Sequence, residues 1–134
     1  MTTGTWDPDA GASAGLKIDA ALLQRFVAAI DQGHGDDLAA NMTEEDLAQH
    51  DLMRIPLDEW PSHLEPLEGS ELLALVRFFT LIEMQSPDWH AGDLSPVIAI
   101  NRLLRARGQK LDTDTLKWIR TNSTNRFIPN GAVL

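Results

Sequence analysis

Asp88, His90 and Asp93 fall close together in the segment Pro87-Asp88-Trp89-His90-Ala91-Gly92-Asp93-Leu94-Ser95, and Glu83 precedes them. Carboxylates beside an imidazole can ligate a divalent cation or act as an acid–base pair. The segment also reads as a loop, and loops held between rigid elements often carry sites. Two-histidine metal motifs place their imidazoles at i and i+4 on one helix face. His34, His50, His63 and His90 contain no such pair. The simpler reading is therefore structural: Asp93 or Ser95 caps a helix, Trp89 packs inward and His90 meets solvent.

If the chain has a ligand site, the sequence puts it beside this loop. Glu83, Asp88, His90 and Asp93 would supply polar groups, and Trp89 an apolar wall. Arg126, from the tail, would grip an anion through its planar fork of donors. His34-Gly35-Asp36-Asp37 and His50-Asp51 resemble ligand fragments less closely. They read as an interhelix turn and a polar helix face. No metal site and no cofactor motif is expected: the chain lacks a Gly-rich phosphate loop and a G-x-S-x-G elbow. It has no cysteine, which excludes disulfides, thiol chemistry and Cys-ligated zinc or iron–sulfur centres.

The elements that must position these residues are helical. Asp19 can cap a helix running to Asp31, with Leu23, Phe26, Val27 and Ile30 on one stripe. Thr43 can start a second, carrying Leu47, Ala48, Leu52 and Met53 and stopping before Pro56. Residues 56–69 hold three prolines and read as a loop with at most one short turn of helix. From Ser70 to Gln85, apolar residues cover nearly every face, the mark of a central buried helix. Ser95-Pro96 opens a fourth, ending at Gly108, and Asp112 or Thr113 a fifth, ending near Asn122. No stretch alternates with period two. The expected fold is all-α: a single-domain bundle of about five helices around a central hydrophobic helix, 70–85. Residues 1–16 read as a flexible arm and 17–134 as the helical domain. Phe127 and Ile128 in the tail are both expected to pack back on the body.

Charge is sorted along the chain. Residues 1–93 hold 18 acids and four bases, and residues 94–134 seven bases and two acids, within a net charge of −9. The split predicts that basic residues 102–126 contact acids of 1–93, in the same chain or a second copy. Glu83 and Arg77 sit in the most apolar helix and need partners. The C-terminal bases are expected to serve Glu83, and the N-terminal acids Arg77.

The first functional expectation is a binding or interaction module that self-associates or docks on a protein partner. A small-ligand- or metal-binding enzyme using residues 83–93 is the alternative, so enzymatic activity stays open. Nucleic-acid binding through 102–126 is a third reading. The net charge and pI ≈ 4.7 argue against it, as do Asp112 and Asp114, which fall where a recognition helix would meet bases. No run is long and apolar enough to span a bilayer, so no membrane partner is expected. The N-terminus lacks the basic and apolar regions of a secretory signal, and the absence of cysteine suits a reducing, cytoplasmic setting.

Overall fold

A computed structural model describes residues 18–131. The arm read over residues 1–16 lies outside the described residues. Among the described residues, seven α-helices follow one another: α1 (Ala20–Asp31), α2 (Leu38–Asn41), α3 (Glu44–Leu47), α4 (Pro61–Leu64), α5 (Gly69–Gln85), α6 (Pro96–Ala106) and α7 (Thr113–Asn122). Short 3₁₀ turns join them, and no strand occurs among the described residues. None of these helices is long and apolar enough to cross a membrane.

The main helices begin where side chains can satisfy free amides. Asp19 accepts from Ala21 N at 3.0 Å, Ser95 from Val97 N at 3.3 Å and Asp112 from Thr115 N at 2.7 Å. At α5 the cap is Glu68, and Glu71 accepts from Glu68 N at 2.9 Å to complete a capping box. Pro66 and Gly69 hide this start in the sequence, which suggests Ser70 instead.

The expected second helix is a single turn, α3. Thr43 caps it, and a 3₁₀ stretch, Ala48–Arg54, follows across a kink at Gln49. The Leu47 carbonyl at this break accepts from the Trp89 indole at 3.1 Å. The tighter winding still buries Leu52 and Met53 completely. Two further short helices, α2 and α4, carry too few residues to show a period.

Helix α5 is the hub. Helices α1 and α6 flank it, packing on it and hardly on each other, and α2 and α7 lie against it too. Leu75, Phe78, Phe79 and Ile82 have no exposed surface. Phe26 of α1 stacks on Phe78 with centroids 4.0 Å apart, and Phe79 meets Phe26, Phe78 and Trp60 edge-on. Thr80 is buried and returns its hydroxyl to Val76 O at 2.7 Å.

The C-terminal turn lies along α6. Asn101 donates to Pro129 O at 3.1 Å. A Cβ on Gly131 would stand 3.3 Å from Ile98, and the backbone there has φ 95°, so both space and conformation select glycine. Ile128 is buried as expected, but Phe127 is not: 38% of it is exposed.

Candidate functional site

Glu83 has no exposed side-chain surface. Its Oε2 accepts from Ala91 N at 2.8 Å and Gly92 N at 3.1 Å. Asn125 Nδ2 donates to the same carboxylate at 3.0 and 3.3 Å and to Gly92 O at 2.9 Å. His90 Nδ1 stands 3.5 Å away. Among the described residues, no lysine or arginine pairs with this group. Backbone and amide N–H groups take that place, because the loop turns its amides inward at Gly92, where φ is 59°. One carboxylate thus ties the 90–92 loop to the segment after α7.

Around this tie lies a cleft of ≈ 440 Å³ lined by His90, Gly92, Thr124, Asn125, Arg126 and Phe127. Of the residues singled out in the sequence, His90 and Arg126 meet here, and Glu83 lies beneath the 90–92 loop. Trp89 does not form the wall. It is wholly buried, edge-on to Phe26 and Phe78, and the apolar surface of the cleft is Phe127 instead. An indole this large gains more by filling the core than by walling a surface groove. Asp88 and Asp93 are exposed and do not line the cleft; Asp88 offers its backbone oxygen to Arg54 at 3.4 Å. Ser95, not Asp93, caps α6.

Thr124 and Asn125 were not singled out in the sequence, and Phe127 only as a tail residue packing on the body. The polar run Asn122-Ser123-Thr124-Asn125 before Arg126 was the available signal. Asn125 takes Phe127 N at 2.9 Å in an Asx turn and so aims the ring. Among the described residues no three His, Asp or Glu side chains gather as a metal ion would need.

Among the described residues, the bases of residues 94–131 make no ion pair with a carboxylate. Among the described residues, the ion pairs made by arginines lie within the acidic part: Arg25 with Asp46 at 2.8 Å, and Arg54 with Asp51 at 3.2 Å. Asp46, largely buried, holds Arg25 bidentately and raises its pKa. Arg107 reaches the N-terminal part through the carbonyls of Leu67 and Glu65, at 2.8 and 2.6 Å. The expected pairing of C-terminal bases with acids of residues 1–93 is therefore not made within the described residues of one chain. Arg77 is exposed and makes no ion pair among the described residues, so the expected partnership with N-terminal acids is not made there. Arg102, Arg105, Lys110, Arg120 and Arg126 are exposed around the 126–131 turn. Arg120 and Arg126 line one groove that includes Asn130, Arg105 and Lys110 line another together with Asp112, and Arg102 lies against Gly131.

No protein-family model matches this chain, and no curated protein or solved structure gives a significant match to it.

Proposed function

We propose that this chain is a cytosolic protein-interaction module whose basic face docks on an acidic protein surface. One observation carries the reading: Arg102, Arg105 and Arg120 are exposed and meet no carboxylate among the described residues. They belong to α6 and α7, while the exposed acids Asp31, Asp36, Asp37, Glu44 and Glu45 belong to α1, the turn before α2, and α3. The acidic part of a second copy has the complementary charge, so head-to-tail self-association is the form this chain can supply by itself. Complementary patches raise the encounter rate and fix the register of docking more than they add affinity.

A duplex nucleic acid is a poorer occupant. Asp112 caps α7 and Asp114 sits in its first turn, so the end of α7 that would face bases is acidic. The test is to reverse charge at Arg102, Arg105 and Arg120 together and follow association by sedimentation. Loss of a salt-sensitive complex supports the reading. Unchanged association, or binding to DNA with a steep salt slope, removes it.

A further inference from the structure

The cleft between the 90–92 loop and residues 124–127 has walls that are already fixed and polar groups that are partly spent. Glu83 takes donors from Ala91, Gly92 and Asn125. Asn125 in turn gives its amide to Glu83 and Gly92 O and its oxygen to Phe127 N. Neither side chain is left to hold a ligand. They act as a rivet, and a preorganised cleft avoids the ordering cost of binding.

Three groups remain to meet a ligand. The Phe127 ring keeps 38% of its residue surface exposed, one of only three large apolar residues so exposed among those described. The Arg126 guanidinium is exposed and has no hydrogen bond or ion pair to the described residues. The His90 side chain is 72% exposed. An aromatic face beside an unspent bidentate donor selects a particular chemistry.

We infer that this cleft binds a small organic carboxylate with an apolar body. The body lies against Phe127, and the carboxylate is held by the Arg126 fork with His90 beside it. The volume of ≈ 440 Å³ falls in the range of small-molecule sites. A cation is disfavoured because among the described residues no carboxylate lines the cleft, and Glu83 beneath it is buried with its oxygens engaged. An inorganic anion would leave the ring unused. This inference does not rest on the docking proposal: it uses the monomer, and neither Arg102, Arg105 nor Arg120.

The test is an NMR titration of the full ¹⁵N-labelled chain with sodium phenylacetate up to about 10 mM, the weak range suited to a ligand of so few atoms. Acetate and phenethylamine serve as controls, lacking the body and reversing the charge. Phenylacetate is expected to give saturable shifts at the amides of Gly92, Thr124 and Phe127 and at Arg126 Nε. Both controls are expected to bind at least about tenfold more weakly, as are Arg126→Ala and Phe127→Ala with phenylacetate. Arg126→Lys, which keeps charge without the fork, should fall between. Spectra of the variants away from the cleft report that they are folded. The inference is overturned by absence of saturable shifts at those amides in the wild type. Equal binding of phenethylamine, or undiminished binding in folded Arg126→Ala, overturns it as well.

Discussion

Glu83 concentrates the polar chemistry of the interior in one side chain. Burying a carboxylate is costly unless donors replace water, and here two backbone amides and Asn125 do so. Glu83→Ala removes the acceptor and strands these donors, so we expect a loss of about 3 kcal/mol or more in urea unfolding. Glu83→Gln can keep the backbone bonds but sets its own amide against that of Asn125, and should cost less. An alanine variant within about 0.5 kcal/mol of wild type would show that the rivet is dispensable. Trp89→Phe should also destabilise, by about 1–3 kcal/mol, since the indole bond to Leu47 O and core volume are both lost. It should leave the cleft open and unaltered, which amide shifts at Thr124 and Phe127 would check. The sequence drew attention to this region by gathering acid, imidazole and indole. Its structural reading, with Trp89 packed inward and His90 in solvent, is the arrangement found; that Asn125 arrives from beyond α7 was not legible, because it depends on long-range packing.

Helix α5 organises the elements. Phe79 is fully buried in edge-on contact with Phe26, Phe78 and Trp60, so Phe79→Ala should cost about 3–5 kcal/mol by denaturant unfolding. A loss below about 1 kcal/mol would mean that α5 is not the hub. The start of α5 adds a pH dependence. Glu71 accepts from Glu68 N and, at 2.6 Å, from Gln24, and these bonds hold its pKa below the ordinary glutamate value. A depressed folded pKa stabilises above the unfolded pKa, and the gain is lost as pH falls through the folded value. The stability gap between wild type and Glu71→Gln should therefore narrow as pH falls below the ordinary glutamate range. A gap that stays constant down to full protonation would contradict this. The long helices were legible in sequence because Asp19, Ser95 and Asp112 are local caps and the apolar stripes repeat over several turns. Helices α2 and α4 were not, since one turn carries no period. The break after Leu47 was not either, because the Trp89 indole that meets it lies 42 positions away.

The whole molecule keeps its charge sorted by element: acids prevail over residues 18–93, and bases over residues 94–131, which include α6 and α7. The charge split was plain in sequence. Its consequence was not, because among the described residues the C-terminal bases make no ion pair with acids of their own chain. A net charge of −9 opposes self-association at long range, so contact must be made patch to patch. The most direct measurement is sedimentation equilibrium of the full chain at about 0.1 M and about 1 M salt, where the screening length shrinks from about 10 Å to about 3 Å. We predict concentration-dependent association at the lower salt, absent at the higher salt and in the Arg102→Glu, Arg105→Glu, Arg120→Glu variant. A chain that stays monomeric at every concentration in both salts, or a variant that associates like wild type, would contradict the account.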